Sequence, residues 1–183
     1  VPAMPLPKEP IHTIADIYAL PDGQRAELIN GQLFDMAPPN RIHQKLVSKL
    51  STIFWNYIEA NHGSCEVYPA PFAVFLNKDD KTYVEPDISI ICEKDKLSDR
   101  GCEGAPDFVI EIVSPATQKR DYGIKLFKYR AAGVREYWIV NPAKEIVNVY
   151  NFEAEEDCNL YSFDDPIPSG IYPGFFVCIR ELL

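Results

Sequence analysis

The chain has 183 residues, enough for one domain with a hydrophobic core, and we expect that domain over residues 13–183 behind a flexible arm at 1–12. The composition, 46% hydrophobic and 25% charged, is that of a soluble globular protein, and no apolar run approaches the ~20 residues that span a bilayer. We therefore expect no membrane association. A formal net charge of −9 argues against a general affinity for nucleic acid.

The cysteines predict neither a disulfide framework nor a zinc cluster. They are odd in number, scattered and without the close CxxC spacing of metal sites. We therefore expect reduced thiols in a cytoplasmic protein. The five positions are Cys65, Cys92, Cys102, Cys158 and Cys178.

The first part of the chain predicts a short helix and a hairpin. Residues 13–20 have helical character and end at a turn. Segments 25–29 and 32–36 flank the dipeptide Asn30-Gly31, the strongest short hairpin signal. Glu27 lies in the first hairpin strand, where an exposed or cross-strand-paired carboxylate is the common outcome.

A long helix should follow, from an N-cap at Asn40 to about residue 61, with Gly63 ending it. Its apolar residues recur at intervals of three and four, which predicts one face buried against a sheet. His43 lies in the first turn, where a surface or capping role is more common than a catalytic one, although that turn could face a site at the sheet end. The apolar stripe comprises Ile42, Leu46, Leu50, Ile53 and Tyr57.

Two strands are predicted next, over 65–76 and 83–91, with a polar turn between them and a charged loop over 93–103 after them. Prolines should bend the first strand, because proline cannot donate to a ladder. In the second strand the alternation of side chains places Glu85, Asp87 and Ser89 on one face.

Residues 105–141 predict a strand, a helix and a further strand. The strand at 108–113 is almost entirely apolar, as expected of a strand covered on both faces, and it contains one carboxylate, Glu111. We expect Asp121 to cap the helix and Gly133 to end it, with Ile124, Phe127 and Ala131 on its buried face. A helix between this strand and the next, at 136–140, favours a parallel pair. Further strands are predicted over 145–150, 160–163 and 175–179.

Two acids and a lysine form a candidate site. A buried carboxylate such as Glu111 requires a cation, hydrogen-bond donors or a metal. Asp107 is four residues from it along the same strand, roughly 13 Å, which is too far for one small cation. If the strands pair with Asp87 beside Glu111, their oxygens suit magnesium or manganese, and Lys125 on the following helix could orient water or phosphate.

The chain resembles the PD-(D/E)xK, or restriction-endonuclease-like, superfamily and, within it, the Uma-two family of predicted endonucleases. The similarity extends from about residue 14 and includes the segments AELINGQL, RIHQKLVSKL, EPDISII, APDFVIEIVSP and RDYGIKLFKYRAAGVREYWIVNP. The resemblance implies an α/β fold whose core is a helix, three strands, a helix and a strand, with an N-terminal hairpin and extra C-terminal strands. The superfamily lysine falls on Val113 here, and the resemblance implies Lys125 in its place.

The resulting hypothesis is a metal-dependent endonuclease that hydrolyses DNA, with Mg²⁺ or Mn²⁺ as cofactor and a homodimer as the expected assembly. Asp87, Glu111 and the main-chain carbonyl of Ile112 would bind the metal, and Lys125 would position the attacking water. Glu27, His43 and Asp121 are secondary candidates for orienting water or metal. The stretch 114–135 has six basic residues against one acidic, and the proposed DNA contacts are Lys119, Arg120 and Lys128.

Two other functions stay open. A non-catalytic binding module would keep the fold and an acidic pocket without turnover, and the net charge of −9 favours it. The basic residues of 114–135 would then be no more than the solvated face of a helix. A hydrolase using Asp87 and Glu111 as acid and base is the third hypothesis, and it leaves Lys125 without a role.

Overall fold

A six-stranded mixed sheet organises the chain in this computed structural model, which describes residues 9–155 and 157–183. The helices are α1 (Ile14–Tyr18), α2 (Arg41–Ala60), α3 (Gln118–Tyr122) and α4 (Ile124–Ala132), with 3₁₀ turns at Lys94–Lys96 and Ile179–Leu182. The strands are β1 (Ala26–Ile29), β2 (Gln32–Asp35), β3 (Glu66–Pro69), β4 (Val74–Phe75), β5 (Ile88–Ile91), β6 (Leu97–Ser98), β7 (Gly101–Glu103), β8 (Phe108–Ile112), β9 (Glu136–Asn141), β10 (Ile146–Asn151), β11 (Cys158–Ser162), β12 (Ile167–Pro168) and β13 (Phe176–Val177).

The strand order of the main sheet is β11-β10-β9-β8-β5-β3. β8 and β9 pair in parallel, as the connecting helices predicted, and the other neighbours pair antiparallel. Every residue of β5, β8 and β9 is buried, because these strands have apolar groups on both faces. The expected α/β architecture, with its hairpin and extra C-terminal strands, is confirmed.

Helix α2 covers one face of the sheet and keeps the predicted bounds. The Asn40 side chain accepts a hydrogen bond from the His43 N–H at 2.8 Å, which caps the helix as expected. Phe54 lies at the centre of its buried face, with its ring 5.3 Å from that of Phe108 and 5.9 Å from that of Trp138. The first turn, with His43, therefore has a fixed position relative to the sheet.

The hairpin β1–β2 forms at the predicted turn and is a sheet of its own. Asn30 and Gly31 have φ values of +50° and +79°, the left-handed region that such a turn requires. Leu28 and Tyr83 exchange backbone hydrogen bonds of 2.7 Å, and this bridge joins β1 to the segment before β5. All four residues of β1 are consequently buried.

The helical segment after β8 differs from the expectation in its cap and in its buried face. Asp121 does not cap a helix; it is a buried residue inside α3, whose N-cap is Thr117. The chain breaks at Gly123, where an added Cβ would lie 2.7 Å from the Lys119 carbonyl oxygen. After this break Phe127 is 68% exposed, whereas Lys125 is only 2% exposed. The buried face of α4 was therefore predicted wrongly, because the helix turns a lysine towards the acids of the sheet.

Two expectations around residues 65–103 also need correction. The charged loop contains a small hairpin, β6–β7, which pairs with β4 in a three-stranded sheet. Cys65 and Cys92 form a disulfide, so the expectation of reduced thiols is wrong for this pair. The antiparallel pairing of β3 with β5 continues one position beyond Glu66 and Ile91, where it brings the two cysteines together. Cys102, Cys158 and Cys178 are free.

The prolines shape the two segments before β8 as expected. The first predicted strand is divided into β3 and β4 around a cis Ala70–Pro71 bond. The second predicted strand, over 83–91, has regular pairing only in β5.

The first eight residues of the predicted arm at 1–12 lie outside the described residues. Within 9–155 and 157–183, no helix has both the length and the apolar character needed to cross a membrane.

Candidate active site

Asp87 and Glu111 lie side by side at one edge of the sheet. The antiparallel register of β5 and β8 aligns Ile88 with Ile110, so Asp87, one residue before β5, lies opposite Glu111. The Asp87 N–H donates to Glu111 Oε1 at 3.1 Å, and the Ile112 N–H donates to Asp87 Oδ2 at 2.7 Å. The predicted convergence of the two acids is confirmed, and backbone donors fix both carboxylates.

Lys125 extends from the second position of α4 into this group of acids. Its Nζ lies 2.7 Å from Glu111 Oε2, 2.9 Å from Glu27 Oε2 and 3.7 Å from Asp121 Oδ1. Lys125 and the three acids are each no more than 4% exposed. The break at Gly123 makes this possible, since it sets the direction of α4 independently of α3. Of the partners expected for a buried Glu111, a cation, hydrogen-bond donors or a metal, the structure shows the first two, Lys125 and the Asp87 N–H.

Glu27 reaches the site from the hairpin. Its Oε2 accepts the Glu85 N–H at 2.9 Å, which ties β1 to the segment leading to Asp87. The Arg120 guanidinium lies 3.7 Å from Glu27 Oε1 and above the Phe34 ring at 5.1 Å. Glu27 is thus neither exposed nor in a simple cross-strand pair. The Glu27 carboxylate instead joins the hairpin to Arg120 of α3 and Lys125 of α4, more than 90 positions further along the chain.

His43 contacts the acids from the first turn of α2. Its Nε2 is 3.1 Å from Asp87 Oδ1, and its Nδ1 is buried without a hydrogen-bond partner among the described residues. Burial lowers the pKa of the imidazole, but the hydrogen bond to Asp87 and the charges of Asp87 and Asp121 outweigh it, so the net shift is upward. The contact with Asp87 therefore stabilises the protonated imidazole relative to a free histidine.

The electrostatics of the site favour bound positive charge. Burial raises the pKa of Glu111 well above its usual range and also raises that of Asp121, while the charge of Lys125 opposes both shifts. For Lys125 burial lowers the pKa, but Glu111 and Glu27 outweigh it and hold the ammonium in its charged form. Four carboxylates, those of Glu27, Asp87, Glu111 and Asp121, face Lys125, Arg120 and His43, so the acids outnumber the cationic groups even when His43 is protonated.

This surplus of negative charge fits a divalent cation. Across residues 9–155 and 157–183, no three His, Cys, Asp or Glu side chains converge as a ready-made metal cluster. Magnesium and manganese do not require one, because they bind through one or two carboxylates and keep several waters. Asp87 and Glu111 offer those two carboxylates, and the Ile112 N–H orients the first of them.

The three predicted DNA-contacting residues differ in their exposure and in their partners. Lys119 is exposed, and the Lys128 ammonium donates to Asn30 Oδ1 at 2.7 Å on the hairpin turn. Arg120 has a side-chain exposure of only 15% because it is held at Glu27. The basic residues of this segment are therefore not simply the solvated face of one helix.

Asp107 lies apart from the site, and its Oδ2 accepts a hydrogen bond from the Cys92 N–H at 2.7 Å.

Sequence reasoning missed two partners of Glu27: the guanidinium of Arg120 and the backbone N–H of Glu85. The alternating strand pattern and the Asn30-Gly31 turn show that Glu27 lies in a hairpin. They carry no information on how that hairpin docks against α3. Contacts between distant segments hold the hairpin in place: Leu28 pairs with Tyr83, and Glu27 contacts Arg120 of α3.

Comparison with known proteins gives consistent matches. The model of the Uma2 family, described as "Putative restriction endonuclease", matches residues 14–175. The uncharacterized protein slr1290 of Synechocystis sp. is 24% identical over 141 residues, which are 76% of this chain and 73% of that protein. A "putative nuclease belonging to DUF820" from Anabaena variabilis has a crystal structure that superposes with a TM-score of 0.74 at 18% identity, covering 93% of this chain and 96% of the other. The structural match shows a shared fold.

Proposed function

Because this chain belongs to the Uma2 family of restriction-endonuclease-like proteins, we propose that it is a metal-dependent endonuclease that hydrolyses DNA phosphodiester bonds. One observation carries the proposal. A buried lysine from a helix contacts the carboxylate of Glu111, which is itself held beside Asp87 on the neighbouring strand. Two adjacent acids can hold a catalytic cation, and a lysine beside them can stabilise the charge that develops on a phosphate.

Asp87, Glu111 and the main-chain carbonyl of Ile112 would hold Mg²⁺ or Mn²⁺. When bound, the cation would lower the pKa of a water and offset the charge that develops on the scissile phosphate. The chain's own groups prepare this arrangement. The Ile112 N–H fixes one Asp87 oxygen at 2.7 Å, and His43 contacts the other at 3.1 Å. Asp87 therefore keeps its orientation without a rearrangement of the strand.

Lys125 would direct the attacking water and stabilise the phosphate in the transition state. An ammonium in a site of low polarity contributes more than one in water, because the surrounding medium screens its charge less. Glu27 and Asp121 would hold the ammonium between them, with Nζ distances of 2.9 and 3.7 Å. Lys119 and Lys128 would contact the DNA backbone outside this cluster. Arg120 would act closer to the scissile phosphate, because it lies at Glu27.

A non-catalytic DNA-binding module is the second candidate. The observation that favours it is the closed ion pair: Lys125 is 2% exposed and already has two carboxylate partners. In such a protein the acids and the lysine would stabilise the fold, and a cation would not displace the pair. The two candidates differ in turnover and in metal binding.

Cleavage of supercoiled plasmid with Mg²⁺ or Mn²⁺ separates them. We expect wild type to cut, and the variant Asp87→Asn to lose at least about 100-fold in rate, the scale of a lost catalytic group. Asp107→Asn is the matched control, because it changes the acid of the other Pro-Asp dipeptide. Asp107 accepts a hydrogen bond from the Cys92 N–H and forms an ion pair with Arg135, away from the proposed site. Equal cleavage by wild type and Asp87→Asn would refute the site. Binding of DNA by wild type without any cleavage would favour the module.

Calorimetric titration with Mn²⁺ tests metal binding without DNA. Asp87→Asn and Glu111→Gln should each weaken the same site, because each removes one anionic ligand. Asp107→Asn should leave the site unchanged. Equal Mn²⁺ affinity in all four proteins would contradict the assignment of the metal to Asp87 and Glu111.

A further inference from the structure

A buried phenol that the proposed mechanism does not use lies beside Lys125. Tyr129 follows Lys125 by one turn of α4, and the two side chains project from the same face because residues four apart on a helix are neighbours. Tyr129 is 0% exposed. Its ring packs edge-on against Tyr137, with centroids 4.9 Å apart, and the Tyr137 hydroxyl donates to the Asp121 carbonyl at 2.9 Å. The phenol is therefore part of the wall of the carboxylate cluster.

The two tyrosines differ in how their hydroxyl groups are satisfied. Tyr137 has the Asp121 carbonyl, whereas the Tyr129 hydroxyl is buried and has no hydrogen-bond partner among the described residues. A buried hydroxyl without a partner costs about 1–3 kcal/mol. Burial raises the pKa of Tyr129 well above its ordinary value, and the charge of Glu111 raises it further. The hydroxyl keeps its proton and can both donate and accept.

The Lys125 ammonium also has a hydrogen-bonding group beyond its direct contacts. It has three N–H donors, and two carboxylate oxygens lie within hydrogen-bond distance, those of Glu111 at 2.7 Å and Glu27 at 2.9 Å. The third acid, Asp121, is 3.7 Å away, which is too long for a direct hydrogen bond. One N–H of the ammonium therefore remains beyond these two contacts, and Tyr129 projects from the same face of α4 as Lys125.

We propose that Tyr129 is a positioning residue for Lys125, and that its hydroxyl and the third ammonium N–H share one ordered water. Internal waters occur where two to four polar groups can bond them, and the hydroxyl, the ammonium and Asp121 provide that number. The water would fix the rotation of the ammonium about its stem. The consequence for turnover rests on the proposed function, whereas the consequence for the ammonium protons does not.

The ammonium protons give the test that is independent of catalysis. Their exchange with solvent is measured by ¹H–¹⁵N NMR in metal-free buffer, in wild type and in Tyr129→Phe. We expect exchange at Lys125 to be about tenfold faster in the variant, the factor that corresponds to one lost hydrogen bond. The matched control is Tyr172→Phe, which removes a buried hydroxyl that also has no partner but packs on Tyr57. Its effect on Lys125 should be nil.

Kinetics complete the test. In Tyr129→Phe we expect kcat to fall about tenfold with KM unchanged, since the water would orient Lys125 in the transition state rather than bind substrate. Tyr172→Phe should keep the wild-type kcat. Unchanged exchange at Lys125, or faster exchange with unchanged kcat, overturns the proposal. If wild type shows no cleavage at all, the proposed function fails while the exchange measurement still decides the role of Tyr129 in the ammonium's environment.

Discussion

Replacement of Lys125 by methionine is the sharpest test of the buried cluster. The two side chains have similar length, so Lys125→Met removes the charge and little volume. Glu111 and Glu27, now 2.7 and 2.9 Å from an ammonium, would keep their burial and lose their partner. Breaking a buried ion pair from one side costs about 3–5 kcal/mol. At about 2–4 °C per kcal/mol for a chain of this size, Tm should fall by roughly 10 °C.

Differential scanning calorimetry measures the fall, and Lys128→Met is its matched control. Lys128 is on the same helix but only donates to Asn30 at the surface, so its replacement should change stability by less than about 0.5 kcal/mol. A second substitution provides a further check: Glu111→Gln in the Lys125→Met background should restore part of the loss, because it removes the unpaired charge. Equal Tm values for Lys125→Met and Lys128→Met would refute the argument that Lys125 neutralises the cluster.

Two further predictions concern stability away from the site. Reducing Cys65–Cys92, or replacing both by serine, should lower the unfolding free energy by about 3.5 kcal/mol, the loop-closure value for a separation of 27 residues. Identical urea midpoints with and without reductant would contradict this. Burial raises the pKa of Glu136, so the folded chain binds its proton more tightly than the unfolded chain does. Its stabilising contribution is therefore present below the ordinary glutamate pKa and is lost as pH rises through the folded pKa. Wild type should lose up to about 1.4 kcal/mol per pH unit more than Glu136→Gln in that window, by urea titration; parallel pH profiles would argue against it.

The sequence made the pairing of Asp87 with Glu111 a testable hypothesis, because each acid could be assigned to a strand from local signals. The strand alternation gives each acid its face, and a helical crossover after β8 leaves β5 as its other neighbour. The long helix and the hairpin were predictable for the same reason, since their caps and turn residues act within a few positions. Asn40 and Asn30-Gly31 show such local control.

The errors arose where distant parts of the chain decide the outcome. A hydrophobic stripe favours Phe127 on the buried face of α4, but the unpaired acids of the sheet require a cation there, and Lys125 takes that position. Cys65 and Cys92 are 27 residues apart, and only the register of β3 with β5 makes them neighbours. Neither contact has a periodicity that a single segment could reveal.

The hairpin β1–β2 has a consequence for the boundaries of the smallest fragment that contains the site. It belongs to a separate two-stranded sheet, yet Glu27 closes the cluster on Lys125, and Asn30 accepts the hydrogen bond from Lys128. A fragment starting at Asn40 would keep α2 and all six strands of the main sheet. It would also open the lysine to solvent on one side. The core of the fold and the cluster around Lys125 therefore have different N-terminal limits, and truncations or fusions between residues 25 and 36 will act directly on the ammonium.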